Sequence, residues 1–243
     1  MSTDRKPDLC VAANPEEAAY SCAEYIIGVL QSSQRATLAI SGGNTPIPMF
    51  KVLAGSDLDW TRIHVFWVDE RCVPPGNDQS NFKHANESLL LPARVPQANI
   101  HRIPGEADPE EGARKYVEDI KRFFALEPGE LPVFDVLHRG MGPDAHTASL
   151  FPGEPLIKNR TDIAAHVWVD KLKMHRVTLL PGVLAAAKHT VMQVTGAEKA
   201  DPLHKVLFGP DDPLEYPCQI ATRDSAKAVW FLDREAAAQL AGK

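Results

Sequence analysis

With 243 residues, 44% of them hydrophobic, the chain can bury a sizeable core, which excludes a disordered or fibrous polymer. Its 26 Lys and Arg residues against 32 Asp and Glu leave a formal net charge of -6, and no Lys/Arg block marks a nucleic-acid surface, so an anionic ligand has to be held by a local cluster. No apolar run approaches the roughly 18–20 residues that span a bilayer, and Cys10, Cys22, Cys72 and Cys218 lack metal-type spacing, so a soluble cytoplasmic protein with reduced thiols, no membrane partner and no metal is expected.

In chain order, Asn14-Pro15-Glu16-Glu17 combines an N-cap, a proline at the first helical position and a capping-box glutamate, and predicts a helix through about Ser32. Ala36 to Ile40 reads as a buried strand that breaks into Ser41-Gly42-Gly43-Asn44-Thr45-Pro46 before another apolar helical segment. Ile63 to Val68 repeats the pattern and ends in Asp69-Glu70-Arg71-Cys72-Val73-Pro74. A helical stretch then ends near Leu91, and Pro109 to Phe124 reads as another helix. Val133 to Leu137 should be the central strand, feeding the glycine-rich run from Gly140 to Gly153.

Four more strand candidates follow at Ile163 to Val169, Val177 to Leu180, Thr190 to Val194 and Ala228 to Leu232. They are separated by Pro181 to His189, by Ala197 to Leu207 and by a final helix from Arg234. The alternation predicts an α/β fold in a single domain, 1–243, with a mostly parallel open sheet flanked by helices in a Rossmann-like, three-layer architecture. Loops at strand ends gather on one rim of such a sheet, so the three polar loops are expected to converge.

Each loop carries a chemical reading and a plain one. Ser41-Gly42-Gly43-Asn44-Thr45 offers backbone donors, glycines and hydroxyls ahead of a helix, which suits a phosphate or carboxylate; an ordinary capping turn would look similar. A helix N-terminus contributes only about 0.3–1 kcal/mol per charge at exposed sites, so Arg71, Arg176 and Lys199 are the candidate cations. Asp69 or Glu70 could steer Arg71 toward an anionic oxygen, or the three could be a solvated strand end. Cys72 reads as filler rather than nucleophile.

In the third loop Asp144 reads as an N-cap and His146 as a first-turn residue, a position that keeps a neutral nitrogen available as a base for water. A structural turn whose His merely caps a helix is the plain alternative. Ser149 is expected within a short helix, without the elbow that would make it a nucleophile.

Taken together, Ser41 to Pro46, Trp67 to Pro74, Asp78 with Ser80-Asn81, Gly140 to Gly153, Arg176-Val177-Thr178-Leu179 and Gly196-Ala197-Glu198-Lys199 resemble the 6-phosphogluconolactonase family in order and approximate spacing. The resemblance covers most of the chain. It implies hydrolysis of 6-phospho-D-glucono-1,5-lactone to 6-phospho-D-gluconate, with no cofactor and a small sugar-phosphate lactone as the partner. It also implies phosphate near Ser41 to Thr45 and the basic residues, and the lactone carbonyl near His146. The first motif also fits the related glucosamine-6-phosphate deaminases and sugar-phosphate isomerases, in which Asp69 would be the proton-abstracting base. A non-catalytic sugar-phosphate-binding module is a further alternative.

Two departures from the family pattern stand out. Ala145 replaces the glycine of Asp-Gly-His, and a positive φ there would cost roughly 1 kcal/mol. His138-Arg139 replace the apolar pair expected before Gly140. The sequence leaves the oligomeric state open.

Overall fold

A parallel strand buried on both faces reads as a continuous apolar run, and Ala36–Ile40 is buried at every position. In the computed structural model of the chain, which describes residues 7–223, 225 and 227–240, this strand lies inside a seven-stranded sheet. The strands are β1 (Asp8–Ala12), β2 (Ala36–Ile40), β3 (Ile63–Trp67), β4 (Asp69–Arg71), β5 (Ile100–His101), β6 (Val136–Arg139), β7 (Ala164–Val169), β8 (Met174–Leu179), β9 (His189–Val194) and β10 (Ala228–Asp233). The large sheet has the order β1-β10-β9-β6-β2-β3-β5, and all its pairs are parallel. The helices that matter here are α1 (Pro15–Gln31), α2 (Ile47–Ala54), α3 (Asn81–Ala85), α4 (Pro109–Phe124), α5 (Pro181–Ala186) and α6 (Ala200–Phe208).

Side-chain alternation along the strands divides the core between the two faces of the sheet. Val191 of β9 and Val229 and Phe231 of β10 join the apolar cluster that contains Ala19, Ala23 and Ile26 of α1. Their neighbours Met192, Val194, Trp230 and Leu232 join a second cluster with Leu203 and Val206 of α6. Helices therefore cover both faces, giving the layered α/β arrangement that the alternation of elements predicts. Among the described residues no helix is long and apolar enough to cross a membrane.

Local signals account for the long helices. The Asn14 side chain accepts from Glu17 N at 2.8 Å and starts α1 one residue later, at Pro15. Asp108 caps α4, which stops where Ala125 turns left-handed at φ 51°.

Four expectations need correction. The strand candidates from Ile163 and Val177 leave the parallel sheet: β7 and β8 pair antiparallel, and β8 also pairs antiparallel with β4, in a separate three-stranded sheet. The central strand runs over Val136–Arg139 rather than Val133 to Leu137, because Asp135 bonds Thr37 with its side chain and the ladder to β9 continues through His138 and Arg139. Arg234 to Gln239 forms turns instead of a final helix; the Asp233 carboxylate accepts from Gly196 N and Ala236 N and folds the chain back. Ser149 lies in a turn closed by the Thr147–Leu150 bridge, not in a short helix.

Arg139 is fully buried on β6. Its Nη2 donates to the Leu184 carbonyl at 3.4 Å, while Nε and Nη1 find no partner among the described residues, and burial pushes its pKa down to about 10. A buried charge without a counterion opposes folding. Replacing Arg139 with Met should therefore raise stability by about 1–3 kcal/mol, read as a higher urea midpoint at unchanged slope. A lower midpoint would show that the guanidinium supports the core.

Candidate active site

After β2 the chain adds β3 and β5 on one side, and from β6 onward it adds β9 and β10 on the other. The order of strands thus reverses between β2 and β6, and ligands bind at the carboxyl ends of strands where such a reversal opens a crevice. A cleft of about 230 Å³ lies there, lined from the ends of β2, β6 and β9 and from β4 and β8.

The loop after β2 contributes Ser41, Gly42 and Thr45 to the lining. Gly43 turns the chain at φ 89°, and Asn44 is exposed; neither lines the cleft. Gly42 is required by close approach, since a Cβ would come within 2.1 Å of Asn81 Oδ1. The Ser41 hydroxyl is buried without a hydrogen-bond partner among the described residues, and the Thr45 carbonyl accepts from Gln193 Nε2 at 3.3 Å.

At β4 the acids do not hold the Arg71 guanidinium, contrary to expectation. Asp69 is buried and accepts from the Ser149 hydroxyl at 2.6 Å and from Asn81 Nδ2 at 3.3 Å, with Arg176 Nη1 at 3.7 Å. Glu70 accepts from the backbone N–H groups of Arg71, Asn81 and Phe82 and from the Ser80 hydroxyl, and its burial raises its pKa. Glu70 is thus spent on loop and helix N–H groups, and Asp69 on side-chain donors from other segments. Arg71 instead donates from Nη1 to the Gln79 carbonyl, and its Nε lacks a partner. Burial pushes the Cys72 thiol up to about 11, away from nucleophilic ionisation.

Arg71 and Arg176 are direct partners in the β4–β8 register, and both line the cleft together with Lys199, whose Nζ lies 3.5 Å from Glu198. Burial lowers the Arg176 pKa, with Asp69 acting in the opposite sense. Three cations therefore face one small volume. That is a setting for a multiply charged anion.

The loop after β6 places His146 in the same lining. No helix begins here, so Asp144 is not an N-cap and a helix terminus does not act on His146. The Asp144 carboxylate does so directly: Oδ1 accepts from His146 Nδ1 at 2.6 Å and from His146 N at 3.3 Å, and Oδ2 accepts from Lys171 Nζ at 3.0 Å. The bond from His146 is the largest cause that holds the Asp144 carboxyl well below the usual range. With Nδ1 committed as donor, the neutral ring carries its lone pair on Nε2. The ring stacks on Phe151 with centroids 4.2 Å apart. Gly142 makes room for it, because a Cβ there would fall within 1.9 Å of His146 Nδ1.

Ala145, between these two residues, has φ 61° and is fully buried. The left-handed backbone costs about 1–2 kcal/mol, offset in part by burial of the methyl group in the second apolar cluster. Sequence reasoning did not single out Gln193 or Lys171 as site residues, and it marked His138 only as a departure from the apolar pair expected before Gly140. Gln193 left one trace, a polar residue inside an apolar strand; nothing in the sequence marks Lys171.

A sequence profile of the family described as glucosamine-6-phosphate isomerases/6-phosphogluconolactonase matches residues 13–230. A 6-phosphogluconolactonase from Synechocystis is 37% identical over 205 residues, 84% of this chain and 84% of that protein. The solved structure of 6-phosphogluconolactonase from Trypanosoma brucei superposes with a TM-score of 0.84 at 26% identity, covering 97% of this chain and 99% of that one. A monomeric glucosamine-6-phosphate deaminase shares the fold, with a TM-score of 0.82 at 17% identity over 96% and 99% of the two chains.

His138, buried in the cleft wall, has its Nε2 on Gln193 Oε1 at 3.2 Å, and burial lowers its pKa from 6.5 to about 4. The unfolded chain thus takes up a proton before the folded one. Stability is complete above about pH 6.5 and is lost as pH falls toward about 4, with a slope approaching ~1.4 kcal/mol per pH unit from this group. Denaturation of His138→Leu should show a correspondingly flatter pH dependence between about pH 6.5 and 4.5. A slope equal to that of the parent would remove the buried imidazole from the acid response.

Proposed function

The chain belongs to the family of glucosamine-6-phosphate isomerases and 6-phosphogluconolactonases, and from that premise we infer that it hydrolyses 6-phospho-D-glucono-1,5-lactone to 6-phospho-D-gluconate. The observation that carries the reading is a single cleft lined both by three cations and by a histidine whose Nδ1 is committed to a carboxylate.

We assign the substrate phosphate to Arg71, Arg176 and Lys199 together with Ser41, Gly42 and Thr45; Gly43 and Asn44 shape that loop. His146 is assigned as the base. Its Nε2 takes a proton from water as the water oxygen attacks the lactone carbonyl carbon, and the carbonyl electron pair moves onto oxygen. When the tetrahedral intermediate collapses, the bond to the ring oxygen breaks and that oxygen receives the proton held by the imidazolium. The products are a free hydroxyl and a carboxylic acid, which ionises and gives its remaining proton to solvent, so the proposed step needs neither metal nor cofactor. Asp144 keeps the tautomer that leaves Nε2 free, the part a buried carboxylate plays beside other catalytic histidines. We place the reaction in the cytoplasm, in keeping with the composition.

The second reading is the isomerase or deaminase branch of the same family, because Asp69 also lines the cleft. The Asp69 carboxylate is already engaged, accepting from the Ser149 hydroxyl and Asn81 Nδ2 and lying 3.7 Å from Arg176 Nη1. This favours a site for Asp69 beside the cations rather than as the base.

Acid release from freshly prepared 6-phosphogluconolactone, corrected for spontaneous hydrolysis, tests the assignment. His146→Ala should lower turnover about 100-fold or more while the fold persists. Near-parent turnover by a folded variant would remove His146 as the base, saturable binding at only the background rate would make the protein a binding module, and ammonia release from glucosamine 6-phosphate without lactone hydrolysis would favour the deaminase. Arg71→Lys keeps the charge but loses the planar fork, so KM should rise severalfold. Unchanged kinetics would take Arg71 out of substrate recognition.

A further inference from the structure

The two oxygens of Asp144 serve different partners. Oδ1 holds His146, and Oδ2 holds Lys171 Nζ, a side chain 27 residues further along at the tip of the turn between β7 and β8. The other lysine of that turn, Lys173, bonds Asp170 within the turn at 2.7 Å, so the two lysines have separate tasks.

We propose that Lys171 is a positioning residue for lactone hydrolysis: it anchors the Asp144 carboxylate so that Oδ1 stays on His146 Nδ1 and Nε2 stays aimed at the attacking water. The proposal rests on His146 as the base. A carboxylate turns easily about its last torsion, which has broad, shallow preferences, and the two bonds from His146 both fall on Oδ1, leaving Oδ2 without a hold of its own from that residue. A second donor at Oδ2 fixes the plane. Asp144 is itself a loop residue, without a helix to hold it, so the tether comes from another element. That element is the antiparallel sheet, whose strand β8 also carries Arg176 and pairs with β4 at Arg71. One unit thus bears two of the cations assigned to substrate and the anchor of the histidine's carboxylate.

The contact has the properties of an adjuster rather than a structural tie. The Lys171 side chain is 66% exposed, and exposed ion pairs add little to stability. A small misplacement of a catalytic group, by contrast, lowers rate steeply. Loss of Lys171 should therefore appear in turnover and not in folding.

The test uses the full chain with Lys171→Met, Lys171→Arg and His146→Ala in parallel, assayed by acid release from fresh lactone and by urea denaturation. Lys171→Met should keep the parent's urea midpoint and KM while kcat falls on the order of tenfold, and Lys171→Arg should recover at least about half of the parent kcat. Raising salt from about 0.05 to about 0.5 M should lower the parent's kcat by screening the exposed pair and leave that of Lys171→Met unchanged. Parent-like kcat in Lys171→Met, an equal loss in Lys171→Arg, or a raised KM at unchanged kcat would overturn the proposal, the last by making Lys171 a substrate-binding cation. If His146→Ala abolishes turnover while Lys171→Met does not lower it, only this inference falls; if His146→Ala retains turnover, the reading of the site falls with it.

Discussion

Asp135 ties together the three central strands, and the cleft depends on that tie. Its Oδ2 accepts from Thr37 N at 2.8 Å and from the Thr37 hydroxyl at 2.9 Å, its Oδ1 accepts from Lys188 Nζ at 2.8 Å, and its carbonyl accepts from His189 N at 3.0 Å. These bonds set β2, β6 and β9 in step, with Leu38 and His189 both opposite Val136. A slip of one residue would turn every side chain of β6 to the other face. Because the register is fixed at one end, Ser41, Gly140 and Thr195 emerge together at the other, on the rim where the strand order reverses.

The parallel sheet supplies the rim, while the antiparallel sheet supplies much of the charge. Pairing of β4 with β8 sets Arg71 opposite Arg176, two like charges whose repulsion is relieved locally by Asp69. Asp69 in turn receives Ser149 and Asn81, and Asn81 packs so closely on Gly42 that the glycine is obligatory. The loops after β2 and β6 are therefore joined through one buried carboxylate. Asp69 is held from several sides, by a hydroxyl, an amide and a guanidinium.

The buried pair on β6 marks where this chain departs from an apolar strand. His138 finds Gln193, which reaches on to the Thr45 carbonyl, so its polarity is absorbed into the cleft wall. Arg139 points to the opposite face and finds only a long bond to Leu184. Adjacent residues of one strand thus meet different fates, because successive side chains lie on opposite faces of the sheet.

The sequence by itself determined the helix capped by Asn14 and the helix over Pro109–Phe124, the buried run of β2, the polar loops at the strand ends and the strain to be expected of a left-handed Ala145, since capping, periodicity and glycine geometry are properties of consecutive residues. It did not reveal that Asp69 and Glu70 turn away from Arg71, that β4, β7 and β8 leave the parallel sheet, or that Lys171 reaches Asp144. Those outcomes depend on which distant segments meet: Ser149 lies 80 residues from Asp69, and Lys171 lies 27 from Asp144. Tertiary structure decided them because a carboxylate binds whichever donors the folded chain brings within hydrogen-bond distance, and sequence proximity does not order those donors by distance.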